Sequence, residues 1–317
     1  MLNRILKQAE TIAIGGHIRP DGDCTGSCMG MYQYIRENYP EKSVDVYLED
    51  VPEAYRFIKA TKDIRCDIGE KKVYDLFLCL DCGDKERLGF SKPLFEAAAH
   101  TFCVDHHISN QSFADDNYIE PEASSTSELV YNLLEEDKIS KETAEALYLG
   151  IVHDTGVFQY SCTAPSTMRA AAKLMEKGVN APEIIQNTYY EKTYEQNQAL
   201  GRALLESVLF MDKKCIAAYM RQRDMEFYGV KPKDLDGIVS QLRNTKGIEV
   251  AVFMYEIQPS EYKVSLRATG NVDVSVIAQF FGGGGHRKAA GFTMTGRPHD
   301  VLNNLSGQIA LQLENAI

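Results

Sequence analysis

The sequence predicts an α/β protein in two parts: a larger one built on a mainly parallel sheet flanked by helices, and a smaller α/β part after it. Three observations predict this. Apolar runs over residues 76–80 and 101–104 are continuous rather than alternating, the pattern of strands buried on both faces. Helical stretches fall between such runs, as βαβ units require. Beyond residue 210 the alternation starts afresh, and 317 residues fit two domains better than one. The boundaries read as residues 1–195, a helical connector over 196–210, and residues 211–317.

Composition narrows the class. Hydrophobic content of 44% with 25% charged residues suits a soluble globular chain. No apolar run reaches the roughly eighteen residues of a membrane span, and residues 1–10 lack the apolar core of a signal peptide. The expected location is therefore the cytoplasm. Eight cysteines, several inside strand-like runs (Cys79, Cys103, Cys215), suit buried reduced thiols better than a disulfide framework. Cys79 and Cys82 stand at redox or zinc spacing, but they straddle a strand end and no second pair follows. The net charge of −11 is uneven: residues 1–200 hold 20 Lys and Arg against 33 Asp and Glu, whereas residues 201–317 hold 14 against 12. That balance disfavours bulk nucleic-acid binding. A carboxylate site that holds divalent cations reverses its local sign, so a small anionic substrate stays admissible.

Taken in order, residues 2–10 read as a short amphipathic helix and residues 11–16 as a buried strand ending in two glycines. The loop His17-Ile-Arg-Pro-Asp21-Gly-Asp23 follows, then a helix over residues 25–39. One imidazole and two carboxylates within seven residues are costly together unless a cation joins them, although Asp23 could instead cap the helix. Residues 43–48 form a second strand, and residues 76–80 a fully buried one ending in Asp81. A carboxylate there is expensive to bury unpaired. Residues 101–104 lead into Asp105-His106-His107. Adjacent residues of an extended chain face opposite ways, so one imidazole is expected to ligate and the other to face substrate, with Asp105 fixing a ring nitrogen. Hydroxyls over residues 124–127 start a helix. Another helix over residues 141–153 ends at Asp154, with His153 read as a neighbour rather than a ligand.

Helices over residues 166–176, 181–190 and 194–210 complete the first part and the connector. The second part reads as strands over 216–220, 250–256, 263–268 and 292–295, with helices over 236–243, 274–281 and 298–317. Between them lies Gly282-Gly-Gly-Gly-His-Arg-Lys, a loop whose amides suit a phosphate, with Arg267 as a second anion contact.

In this order the motifs, from the His17 loop through Asp81, Asp105-His106-His107 and Asp154 to the Gly-rich His286 stretch, resemble the DHH/DHHA1 phosphoesterases over nearly the whole chain. Within that family the layout resembles the bifunctional oligoribonuclease and 3'-phosphoadenosine 5'-phosphate phosphatase group (NrnA type). The resemblance implies two Mn2+ ions, with Mg2+, Fe2+ or Co2+ as alternatives, and the nitrogen and oxygen donor set agrees. It places His17, Asp21 and Asp81 on one ion and Asp23, Asp81, His106 and Asp154 on the other, with Asp81 bridging. His107, supported by Asp105, would act at the scissile phosphate, which a hydroxide shared by the two ions attacks in line. Arg267, Gly283, Gly284, Gly285 and His286 would hold the substrate's far phosphate. The implied partners are short single-stranded RNA or small nucleotides, with no membrane and with a homodimer left open. A cyclic or linear dinucleotide phosphodiesterase carries the same motifs, and a non-catalytic nucleotide-binding module is the alternative of another class.

Overall fold

A computed structural model of the chain describes residues 2–69 and 72–314, apart from the side chains of Asn3, His286 and Glu314. The fold is α/β, in two compact units, Met1–Glu191 and Lys192–Ile317. The first unit runs α1 (Leu2–Gln8), β1 (Thr11–Gly15), α2 (Gly22–Asn38), β2 (Ser43–Tyr47), β3 (Ile64–Arg65), β4 (Leu76–Leu80), α3 (Lys92–Ala97), β5 (Thr101–Asp105) and β6 (Asp116–Ile119). It continues through α4 (Thr126–Leu133), α5 (Lys141–Asp154), α6 (Pro165–Glu176) and α7 (Ala181–Ile185). Its six strands are all parallel, in the order β3-β2-β1-β4-β5-β6.

A parallel sheet must be covered on both faces, and the alternation of side chains along β4 shows how. Leu76, Leu78 and Leu80 join Met29, Ile35, Leu147 and Ile151 in the core under α2 and α5. Phe77 and Cys79 point the other way, into a smaller core with Leu88, Leu94, Phe95 and Cys103. Strand order reverses between β1 and β4. The chain steps outward from that pair in opposite directions, which opens a crevice at their carboxyl ends where ligands of such sheets gather.

The second unit runs α8 (Tyr194–Leu205), β7 (Val208–Phe210), β8 (Cys215–Met220), α9 (Gln222–Tyr228), α10 (Ile238–Arg243), β9 (Val250–Gln258), β10 (Glu261–Ala268), α11 (Val274–Phe280), β11 (Gly284–His286), β12 (Ala289–Thr295) and α12 (Pro298–Glu314). Its sheet has the order β11-β12-β10-β9-β8-β7 and is antiparallel except between β8 and β9.

Locally the structure departs from the sequence reading in several places. The helix expected over 194–210 stops at Leu205, and residues 208–210 pair as a strand with β8, where β-branched and aromatic residues suit the sheet edge. Ala199 and Ala203 of α8 pack into the second unit's core, so this helix belongs to that unit. The Gly-rich stretch is partly strand: an added Cβ at Gly285 would stand 2.5 Å from Ala289 O, so the missing side chain is what lets β11 lie against β12. Strands β3 and β6 have no apolar run to announce them; every residue of β6 is only half-buried. Finally, α2 begins at Gly22, three residues before the expected start. Among the described residues no helix is long and apolar enough to cross a membrane.

Helices α2 and α5 meet backbone to backbone at Gly26, where an added Cβ would stand 2.5 Å from Ala146 O and 2.8 Å from Gly150 N. Helix propensity alone favours alanine there by about 0.8–1.0 kcal/mol. Overpacking against a rigid backbone costs about 1–3 kcal/mol. Gly26→Ala is therefore expected to lower the midpoint of urea unfolding, and a raised midpoint would show that propensity wins and the close approach is not needed.

Candidate metal centre

The crevice between β1 and β4 collects its side chains from four segments. His17 follows β1 and is buried, with Nδ1 2.8 Å from the carbonyl oxygen of Ile18. That acceptor fixes a ring proton on Nδ1 and turns Nε2 toward Asp81 Oδ2 at 3.4 Å and Asp21 Oδ2 at 3.6 Å. Asp21 is the N-cap of α2: its Oδ1 accepts from the amides of Asp23 and Cys24, so one oxygen starts the helix and the other faces the crevice. The cap expected at Asp23 is thus supplied by Asp21.

Asp23, the second residue of α2, is fully buried and is met by a second helix start. The first amides of α4 donate to it, Thr126 N to Oδ2 at 2.7 Å and Ser127 N to Oδ1 at 2.8 Å. These are orphan donors of a helix N-terminus, where a carboxylate is favoured. Helix α4 is capped independently by Ser125, whose side chain accepts from Glu128 N. Glu128 in turn accepts from Ser124 and from Thr167 of α6, which anchors this turn.

Asp81 stands at the centre. It follows β4 in the left-handed region, φ 59°, a conformation that costs a non-glycine residue about 1 kcal/mol. Its two oxygens face two different groups. Oδ2 looks to His17, whereas Oδ1 accepts from Thr126 Oγ1 at 3.0 Å and lies 3.6 Å from both His106 Nε2 and His107 Nδ1. His106 Nε2 is also 3.0 Å from Asp154 Oδ2, at the end of α5, and 3.9 Å from Asp23 Oδ2. The two imidazoles therefore do not point to opposite faces as expected. β5 ends at Asp105, the chain turns, and both rings approach one carboxylate oxygen.

The surroundings of His107 differ from those of His106. Its Nδ1 donates to Asp105 Oδ1 at 2.7 Å, and Asp105 Oδ2 accepts from Asn110 Nδ2 at 2.8 Å. His153 turns elsewhere, with Nε2 3.0 Å from Thr188 Oγ1 and Nδ1 3.4 Å from Tyr55 Oη. In the second unit Arg267 on β10 pairs with Ala289, which pairs with His286 on β11, so the register sets positions 267 and 286 on one side of the sheet with a small residue between them. The side chain of His286 lies outside the described residues. Gly283 and Gly285 sit where an added Cβ would collide with β12, whereas one at Gly284 meets nothing. The sequence reads Thr126 and Ser127 only as helix-start hydroxyls, because their partner Asp23 lies far along the chain, and Asn110 passes as an isolated amide in the loop after β5.

The electrostatics of the crevice are those of crowded carboxylates. Burial alone would lower the His17 imidazole, yet its bonds to Asp21 and Asp81 push it up to about 11. His106 likewise reaches about 11 against burial, through Asp154, Asp23 and Asp81. Burial, with the charges of Asp81 and Asp154, raises Asp23 well above the carboxylate range. Asp154 rises to about 6 by burial, while Asp21 is held at about 2 by its bond to His17. Among the described residues no Lys or Arg ion pair reaches Asp21, Asp23, Asp81 or Asp154; their charged partners are histidines. Converging oxygens and imidazole nitrogens without a basic side chain fit divalent cations of the Mn2+, Mg2+ or Zn2+ kind. The groups Asp23–His106–Asp154 and Asp81–His106–His107 each bring their ligand atoms within 4.8 Å of one another.

Cation binding must displace the protons on His17 and His106, since imidazole coordinates only when neutral. Both pKa values lie above neutrality, so the protons compete at pH 7 and yield as pH rises. Mn2+ affinity is expected to increase with pH from 6 to 9, and calorimetric heats at neutral pH should scale with the buffer's ionisation enthalpy. Heats independent of buffer would rule out this competition.

Residues 11–151 match the DHH family, N-terminal domain, and residues 212–313 match the DHHA1 domain. The bifunctional oligoribonuclease and PAP phosphatase NrnA of Bacillus subtilis is 27% identical over 92% of this chain and 91% of its own length. The protein of the same name from Thermus thermophilus is 27% identical over 93% and 88%. The crystal structure of an exopolyphosphatase-related protein from Bacteroides fragilis, 25% identical, superposes with a TM-score of 0.90 over 98% of this chain and 96% of that one. With both domains present in order, the chain belongs to the DHH phosphoesterase family, as a hydrolase with a DHH domain followed by a DHHA1 domain.

Proposed function

We propose that the chain is a Mn2+-dependent phosphoesterase that shortens oligoribonucleotides a few units long and removes the 3'-phosphate of 3'-phosphoadenosine 5'-phosphate. The observation that carries the reading is the division of Asp81, one oxygen facing His17 and the other facing His106. A single ion needs no such shared carboxylate; two adjacent ions do. On this reading His17, Asp21 and Asp81 hold one ion, and Asp23, Asp81, His106 and Asp154 the other. The relatives named above for both activities span nearly the whole chain, which supports the choice of substrates.

Bound there, the ions would supply Lewis-acid charge stabilisation and lower the pKa of water. The protein's own residues do the rest. Asp23 is held by the α4 amides and Asp21 by its cap, so neither needs to reorganise when a substrate arrives. His107 donates from Nδ1 to Asp105, and against burial this bond and the nearby Asp81 charge raise its pKa, which favours the protonated ring. A protonated imidazole at that place offsets charge on a phosphoryl oxygen and gives a proton to the leaving oxygen through Nε2. Asp105, kept ionised by His107 and Asn110, holds the ring in that orientation. In the second unit Arg267, His286 and the amides of Gly283, Gly284 and Gly285 would take a second phosphate of the substrate.

The test is hydrolysis of a diribonucleotide, a short RNA, 3'-phosphoadenosine 5'-phosphate, cyclic di-AMP and pyrophosphate, with Mn2+ and after chelation. Turnover of the RNAs and the bisphosphonucleoside, lost on chelation, is expected. Asp21→Ala and Asp154→Ala should abolish it with circular dichroism unchanged, and His107→Asn should lower kcat by about 10²–10⁴. Turnover of cyclic di-AMP or pyrophosphate alone, or full activity in either Asp variant, would overturn the proposal.

A further inference from the structure

The thiols are left unused by the proposed reaction. Cys24, Cys28, Cys79, Cys82 and Cys103 are all fully buried. They fall into two groups of free thiols: Cys24 is hydrogen-bonded with Cys28 along one face of α2, and Cys79 with Cys82 and Cys103 at the ends of β4 and β5. Gly16 makes room for the first group, because an added Cβ would overlap Cys24 Sγ and stand 3.0 Å from Cys28 Sγ. Cys24 lies one helical turn past Asp21, and its thiol donates to the carbonyl of His17 at 3.8 Å. A cation position thus has a sulfur beside it.

The geometry is that of a ligand set. Cys24, His17 and Asp81 are buried, and they offer a sulfur, a nitrogen and an oxygen within 4.8 Å of one another. A tetrahedral ion at about 2.0–2.3 Å from each donor holds its ligands about 3.3–3.8 Å apart, so shifts on the order of 1 Å complete it. We propose that Cys24 joins His17, Asp21 and Asp81 as a fourth ligand for thiophilic divalent cations, Zn2+ and Cd2+, which displace the harder ion from this position and stop the reaction. The proposal rests on the reading of His17, Asp21 and Asp81 as a cation position. Thiolate selects Zn2+ and Cd2+ over Mn2+ and Mg2+. On binding, the sulfur–metal bond forms as the thiol proton passes to solvent, with no change of oxidation state. Four protein ligands close a tetrahedral site and leave no position for water, which is the difference between structural and catalytic zinc.

The experiment uses the full chain stripped of metal and titrated with Cd2+ or Mn2+ alone, followed by ultraviolet difference absorption and calorimetry. Wild type should develop a thiolate-to-cadmium charge-transfer band that saturates with the binding heat. Cys24→Ala and Cys24→Ser, the latter keeping a donor to the His17 carbonyl, should lose the band, and the ratio of Cd2+ to Mn2+ affinity should fall about tenfold or more. Cd2+ binding to wild type without the band would overturn the proposal. So would a band that survives both Cys24 variants and vanishes in Cys28→Ala or Cys82→Ala. The underlying reading fails by a separate result: His17→Ala with Mn2+ binding unchanged.

Discussion

Four carboxylates share one crevice, and their mutual repulsion is the constraint on which the first unit's architecture depends. The chain offsets part of it with dipoles rather than with basic side chains. Asp21 takes two amides of its own helix, Asp23 takes two from the start of α4, and Asp81 takes the Thr126 hydroxyl. Amides are fixed in place and do not titrate. Each contributes only a partial charge, so the remainder falls to His17 and His106, whose pKa values climb as a result. A divalent cation matches the charge of those two protons and concentrates it at one point between the carboxylates.

The sheet and the helix packing make that convergence reachable. The reversal of strand order puts the loops after β1 and β4 side by side, so His17 and Asp81 meet although 64 positions separate them in sequence. Asp154 comes from a helix, and it arrives only because α5 lies against α2 at glycine contact. The same approach at Gly150 brings Ser127 and Asp23 against α5, where an added Cβ would stand 2.6 Å from Asp23 Oδ1. Small residues in these helices therefore act on the site as directly as the ligands do.

What the sequence discloses follows from the range of each interaction. Continuous apolar runs announce β1, β4 and β5, since burial on both faces leaves a local mark, and the polar residues that end them stand out for the same reason. The clamp on Asp23 leaves no such mark: Thr126 and Ser127 look like ordinary helix-start hydroxyls, and it is their backbone amides, over 100 residues away, that matter. The Gly-rich stretch misleads in the opposite sense. Its glycines read as an anion loop, yet two of them are required by the contact between β11 and β12. The two adjacent imidazoles escape the period-two rule because the strand has already ended.

The uneven charge of the chain takes its meaning from this crevice. Residues 1–200 carry 13 more acidic than basic groups, and a phosphate approaching such a surface is repelled unless the sign is reversed locally. Surface charges cannot do this, because screening confines each to about 8–10 Å in physiological salt. On the proposed function, a cation pair held by the crevice carboxylates is screened far less, and it dominates the potential where the reacting phosphate must sit. The acidic surface that disfavours long polyanions and the crevice carboxylates that would hold cations thus act in opposite directions on an approaching phosphate. On the proposed function, selection for small substrates begins with this local reversal of sign, before any contact with the rest of the nucleotide is made.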